Sequence, residues 1–231
     1  MKFRPVLAEA IGTALLLAAV VGSGIMAERL SGGKDGLALL ANTLATGAVL
    51  PVLILIFAPI SGAHRNPAVT VMFALRRELS PATAAAYVMV QVVGAVVGVV
   101  LAHAMFDLPP LHLGVKARSG VGQWIAEAVA TGGLVLTILG VRRALAATVP
   151  FAVGLWITAA YWFTASTSFA NPAVTVARSL TATFAGIAPS HAPAFIVVQF
   201  AAALGAAAFW GWMATERTPG AMTVPNVGTG P

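Results

Sequence analysis

Asn66-Pro67-Ala68-Val69-Thr70-Val71 and Asn171-Pro172-Ala173-Val174-Thr175-Val176 spell the same phrase twice in one chain. Asn is a good helix N-cap, and Pro is favoured at the first helical position. Each phrase therefore starts a helix, predicted over about 66–77 and 171–182. Neither helix is long enough to cross a bilayer, which takes about 20 residues. The surrounding chain nevertheless belongs in one: of its 231 residues, 59% are hydrophobic and only 9% charged. Two short capped helices in a membrane protein read as re-entrant half-helices. Irregular backbone at that depth is tolerated only where protein buries it or water lines it.

Six longer apolar segments surround them, at roughly 5–26, 36–58, 83–105, 121–140, 147–165 and 193–214. They fall into two matched sets. Ala8-Glu9-Ala10-Ile11-Gly12-Thr13 opens the first segment, and Ala126-Glu127-Ala128-Val129-Ala130-Thr131 opens the fourth. The Asn-Pro-Ala phrase follows the second and the fifth. An aromatic–x–x–x–Gln pair, Tyr87 to Gln91 and Phe195 to Gln199, marks the third and the sixth. Three features in one order indicate a duplication, and an odd number of spans per half inverts the second copy in the membrane. The expected architecture is all-α: six transmembrane helices plus two re-entrant half-helices in two inverted three-helix repeats. One channel domain covers 1–217, with repeats at about 5–105 and 121–214 and a linker at 106–120. A Pro-, Gly- and Thr-rich tail, 218–231, has a disordered composition.

The formal net charge of +6 would suggest nucleic acid in a soluble chain. Here the basic residues sit at segment ends. Eight fall on one side of the six-span arrangement and five on the other, which favours both termini in the cytoplasm of a multi-pass cell-membrane protein. Cysteine is absent, so thiolate metal sites and thiol nucleophiles are excluded. Lys2 and Arg4 before an apolar run could imitate a signal peptide, but that run has its partner in the second half.

Inverted repeats bring two half-helix N-termini together near the midplane. Each carries roughly half a positive charge, which repels cations. With each Asn oxygen capping its own helix, its amide N–H groups are left to face the path as donors. Carbonyls around 61–65 and 166–170 supply acceptors.

Ser61-Gly62-Ala63-His64-Arg65-Asn66-Pro67-Ala68-Val69-Thr70 resembles the first signature loop of the aquaporins and aquaglyceroporins, the major intrinsic protein family. With its second copy, the resemblance covers about residues 5–215. It implies a right-handed bundle with one pore per subunit and a homotetramer in a lipid bilayer. It also implies that Asn66, Pro67, Ala68, Asn171, Pro172 and Ala173 line the pore. Glu9 and Glu127 would then hold the re-entrant loops, although their positions also suit carboxylates reaching for interfacial water. His64 reads as a pore-lining or loop-packing residue, and Gln91 and Gln199 as helix-to-loop hydrogen bonds. Gly94 and Gly98 read as close helix packing. Trp124, Trp156, Trp162, Trp210 and Trp212 read as interface anchors.

The family's second loop usually continues Asn-Pro-Ala-Arg, and this chain has Val174. The other constriction positions follow by counting: Thr46, 20 residues before Asn66; Ala159, 12 before Asn171; and Ser168, three before it. A filter of Thr46, Ala159, Ser168 and Val174 has no aromatic, no His and no charge, and predicts a wide opening. Arg178, one helical turn after Val174, would either place a cation in the outer vestibule or cap carbonyls near the half-helix end. The missing Arg resembles bacterial aquaglyceroporins associated with arsenic resistance. That implies small neutral solutes: glycerol, water, arsenite-like hydroxides and possibly methylated arsenicals. No cofactor, metal site or enzymatic constellation is expected. An ion-coupled transporter is the alternative, with Glu9 and Glu127 as its only candidate coupling groups.

Overall fold

The protein is described by a computed structural model covering residues 3–215. Eight α-helices follow one another: α1 (Phe3–Leu30), α2 (Asp35–Ser61), α3 (Pro67–Leu75), α4 (Pro81–Met105), α5 (Val121–Leu145), α6 (Val149–Phe163), α7 (Pro172–Arg178) and α8 (Ala192–Thr215). The expected tail at 218–231 lies outside the described residues. Long apolar stretches sit in five helical runs, one of them 43 residues long. That run breaks at Leu145 (φ −155°, ψ 82°) into α5 and α6, so six spans result. The helices extend beyond the apolar segments because their polar ends remain helical.

α1 packs on α4 and α2, and α5 packs on α8 and α6 in the same way. The α1–α4 contact is close because Gly94 and Gly98 face the backbone carbonyls of Ala10 and Ala14. A β-carbon on either glycine would collide with them. In the second half the glycine changes helix, and Gly132 of α5 faces Ala202 and Ala206 of α8. The halves interlock through their half-helices: α7 packs against α4, and α3 against α8.

Both half-helices are shorter than predicted. α3 ends where Arg77 turns left-handed (φ 61°) and Glu78 N–H bonds back to the Phe73 carbonyl. α7 ends at Arg178, whose carbonyl accepts from Ile187 N–H at 3.1 Å, and the linker bonds the two residues just beyond it. Gly114 N–H donates to the Ser179 carbonyl at 2.9 Å, and His112 N–H to that of Leu180 at 3.2 Å. The polar linker is thus a strap packed over the end of α7. Trp156 is not at an interface. Its indole N–H bonds the Ala130 carbonyl of α5 at 2.9 Å, and its ring fills the space beside Gly133. Trp210 packs against the core, while Trp162 and Trp212 remain exposed.

Candidate functional site

The two half-helices meet at a cavity of about 440 Å³ that runs through the bundle. Its apolar walls are stripes of residues four apart, one face of each helix. Thr46, Leu50 and Ile54 come from α2; Val149, Val153, Ile157 and Tyr161 from α6; Leu134, Ile138 and Arg142 from α5. The polar groups are concentrated in the two loops between.

Each Asn caps its own helix. Asn66 Oδ1 accepts from Ala68 N–H at 3.0 Å, and Asn171 Oδ1 from Ala173 N–H at 3.0 Å and Val174 N–H at 3.3 Å. Their amides are not both free, as the sequence suggested. Asn66 Nδ2 donates to the Ala170 carbonyl, and Asn171 Nδ2 to that of Arg65, each at 2.8 Å. Each amide nitrogen carries two hydrogens, so one ties the halves together and one is left toward the lumen. Asn66, Asn171, Arg65 and Ala170 all line the cavity.

The loops carry the same backbone. Gly62, Ala63 and Arg65 in the first, and Thr167, Ser168 and Ala170 in the second, are all left-handed, with φ between 44° and 85°. For side chains other than glycine this conformation costs about 1–2 kcal/mol per residue. It is held because it turns adjacent N–H groups onto one carboxylate. Glu9 accepts from His64 N–H (2.9 Å), Arg65 N–H (2.6 Å), the Ser61 hydroxyl (2.6 Å) and Gln91 Nε2 (2.8 Å). Glu127 accepts from Phe169 N–H and Ala170 N–H, both 2.9 Å, and from Gln199 Nε2 at 2.6 Å. Both carboxylates are fully buried, so neither reaches interfacial water. The two glutamines continue to the half-helices, Gln91 to the Thr70 hydroxyl and Gln199 to that of Thr175, each at 2.9 Å. The aromatic partners act nearby: Tyr87 OH donates to the Ser61 carbonyl at 3.1 Å, and Phe195 meets the Phe169 ring edge-on. His64 lines the cavity, stacks on Phe73 and has Nδ1 3.2 Å from the Thr70 hydroxyl.

Thr46, Ser168 and Val174 all line the cavity. Ala159 does not join them: it is exposed on the outside of α6. The α6 residue in the wall is Tyr161, buried, with its OH 3.4 Å from the Thr46 hydroxyl. Counting back from Asn171 crosses the irregular stretch 164–170, and a two-residue slip turns a helical position through about 200°, to the opposite face. The α6 wall therefore carries the phenol ring of Tyr161, bulkier than the alanine the counting gave. Tyr161 was legible as the polar end of the α6 stripe.

Arg178 is not in a vestibule either. It is buried, its guanidinium lies 3.5 Å over the Phe169 ring, and its Nε bonds the Ala185 carbonyl. Helical side chains lean toward the helix N-terminus, which draws this head back over the loop before Asn171. Two other arginines escaped the sequence reading as site residues. Arg65 spans from the first loop to the Leu53 carbonyl (2.9 Å), and Arg118 of the strap reaches the Ser166 carbonyl (3.0 Å).

One end of the cavity carries the ion pairs found among the described residues. Glu78, in the α3–α4 turn, meets Arg76 at 2.9 Å and Arg142 of α5 at 2.5 Å. Burial alone would raise this carboxyl, but the hydrogen bonds from Arg142 and Arg76 outweigh it and hold Glu78 below the usual range.

Comparison with known proteins agrees with this geometry. The sequence model of the family described as "Major intrinsic protein" matches residues 1–157. The aquaglyceroporin AqpS of Rhizobium meliloti (strain 1021) is 56% identical over 216 residues, covering 94% of this chain and 92% of that protein. A probable aquaporin, TIP2-2 of Oryza sativa subsp. japonica, is 36% identical over 68% of this chain and 66% of its own length. The X-ray structure of the aquaglyceroporin from Plasmodium falciparum superposes with a TM-score of 0.67, over 90% of this chain and 94% of that one. At 22% identity this last likeness speaks for the fold alone. With two capped half-helices meeting in one lumen, the chain belongs to the major intrinsic protein family of membrane channels for small neutral solutes.

Proposed function

We propose that this chain is a passive, aquaglyceroporin-type channel whose selectivity filter is Thr46, Tyr161, Ser168 and Val174. The observation that carries the reading is Val174 itself. It lines the cavity together with Thr46, Tyr161 and Ser168, and among the described residues the arginines of that lining are Arg65 and Arg142, neither at position 174. A fixed Arg would narrow this point and offer charged donors. Here three hydroxyl groups face an isopropyl group, a lining suited to compact neutral polyols. Glycerol, water and the trihydroxy form of arsenite share that chemistry, and methylated arsenicals extend it with an apolar group for Val174.

The Asn66–Asn171 pair supplies the midplane donors, and Glu9, Glu127, Gln91 and Gln199 hold the loops. Two features count against ion-coupled transport. Glu9 and Glu127 are fully buried, and their oxygens are already occupied by loop N–H and amide donors. A carboxylate committed to the scaffold cannot cycle a coupling ion. We assign His64 no catalytic role, since its ring is committed to Phe73 and Thr70. In the family's manner the chain works as a homotetramer in the cell membrane, with both termini and the Glu78 end of the pore in the cytoplasm.

The test is a solute panel in proteoliposomes, wild type beside Val174→Arg. Wild type passes glycerol and arsenite down their gradients without dependence on sodium or protons. Val174→Arg reduces the bulkier solutes more than water. Equal permeability of both forms to every solute refutes the filter, and flux that requires an ion gradient refutes the channel.

A further inference from the structure

The charges buried in this molecule do not balance. Among the described residues, Glu9, Glu127, Arg65, Arg118 and Arg178 are buried, three guanidiniums against two carboxylates. None of the three arginines is within ion-pair distance of a carboxylate among the described residues. The carboxylates are committed to loop N–H groups, and the guanidiniums to carbonyls. Arg65 Nη1 donates to the Leu53 carbonyl, and Arg118 to Gly186 (3.1 Å) and Ser166 (3.0 Å). Arg178 donates to Ala185, and its buried Nη1 has no partner among the described residues. A charge at membrane depth is costly, and where one is kept it marks an ion pathway or barrier.

All three lie close to the lumen wall. Arg65 belongs to the wall at the midplane, and its stem threads past Gly12, where a β-carbon would stand 2.9 Å from Cδ. Arg178 and Arg118 both pack on the ring of Phe169, a wall residue, at 3.5 Å and 5.1 Å from its centroid. The guanidiniums of Arg178 and Arg118 are thus one residue layer behind the surface that a solute meets.

We propose that these arginines, Arg65 in the wall at the midplane and Arg118 and Arg178 behind it, supply the positive potential that Val174 does not supply in the filter. They make the pore exclude cations, protons included, while its opening stays uncharged. A fixed charge in a low-dielectric wall acts through its field and need not touch the permeant. Moving it out of the filter separates two tasks: the opening is set by Thr46, Tyr161, Ser168 and Val174, and ion rejection by Arg65, Arg118 and Arg178. The proposal rests on the passive-channel reading above.

The test measures proton flux, with a trapped pH dye, and glycerol flux in the same proteoliposomes. Wild type is expected to pass glycerol while its proton flux stays at the level of protein-free vesicles. Arg65→Met and Arg178→Met are expected to raise the proton-to-glycerol ratio about tenfold, the scale of losing one nearby fixed charge. Arg65→Lys and Arg178→Lys put a titratable amine in place of the guanidinium, so their ratio should fall from the Met level toward wild type as the pH is lowered and the amine charges. Adding Val174→Arg to a leaking Met variant should close the leak. A wild-type channel that leaks protons overturns the proposal without any variant having to fold. So do Met variants at the wild-type ratio, or Lys variants as leaky as Met at every pH. Absence of glycerol flux in wild type would instead be the failure of the channel reading.

Discussion

The loops 61–66 and 166–171 are two copies of one backbone carrying different side chains. Corresponding residues are left-handed in both, corresponding N–H groups land on Glu9 and Glu127, and corresponding carbonyls accept the opposite Asn. The side chains keep the Ser at the start and the Asn at the end and diverge between them. The first loop carries His64 and Arg65, and the second carries Phe169 and Ala170 at the same places. The backbone is what forms the pore, so it tolerates no variation. The side chains serve what lies behind it, and each half solves that locally: Arg65 reaches α2, while Phe169 becomes the platform for Arg118 and Arg178.

The strongest way to break this equivalence is through the carboxylates. Glu9 accepts four hydrogen bonds and Glu127 three. Replacing either with Leu strands buried donors at about 1–3 kcal/mol each, enough to abolish folded channel. The Gln variants should both insert, with Glu9→Gln melting below Glu127→Gln in detergent by the equivalent of about 1 kcal/mol. Equal melting would show that the extra Ser61 bond contributes nothing.

Next in size are the caps. Asn66→Ala and Asn171→Ala each remove a cap worth about 1 kcal/mol and a bond across the repeats. Because the two cross-bonds are equal in length, the two variants should lose stability and glycerol flux to a similar extent. A large difference in thermal stability between them would show that the halves are not equivalent at the midplane.

Much of this was legible in sequence. Asn-Pro-Ala announces a capped helix from local chemistry alone, and duplication supplies the inversion. What failed was register across irregular backbone. Ala159 was reached by counting through 164–170, where no helical repeat holds. For Arg178, a step of four residues rotates by about 400°, 40° off the face of Val174, and a helical side chain leans toward the helix N-terminus, away from the outer vestibule. The cross-bonding of the asparagines depends on two loops 105 residues apart in sequence, and no local pattern encodes it. The strap at 106–120 reads as a polar linker because the N–H groups of His112 and Gly114 dock it on Leu180 and Ser179, and backbone bonds leave no trace in side-chain type.

The proposed filter gives a sharper contrast. Tyr161→Ala should raise glycerol and arsenite flux severalfold in light-scattering and metalloid-uptake assays. Ala159→Phe, on the outer face, should leave their ratio to water unchanged. A selectivity change at 159 with none at 161 would restore the counted filter.

The smallest effect concerns the Glu78 end. Because Glu78 is held below the ordinary value of about 4.3 by Arg142 and Arg76, its pairs should survive as pH falls through that value. They should break only at lower pH, once the folded carboxyl is protonated. Solute flux should therefore be flat down to about pH 4.3 and change below it, and Glu78→Gln should show the low-pH flux at neutral pH. A flux change centred near pH 6 would point to a histidine instead.

The most direct measurement of the central claim is the glycerol-to-water permeability ratio of wild type and Val174→Arg in matched proteoliposomes. If Val174 sits in a filter with Thr46, Tyr161 and Ser168, the ratio should fall about tenfold or more, with water retained. An unchanged ratio in a correctly inserted variant would contradict the account.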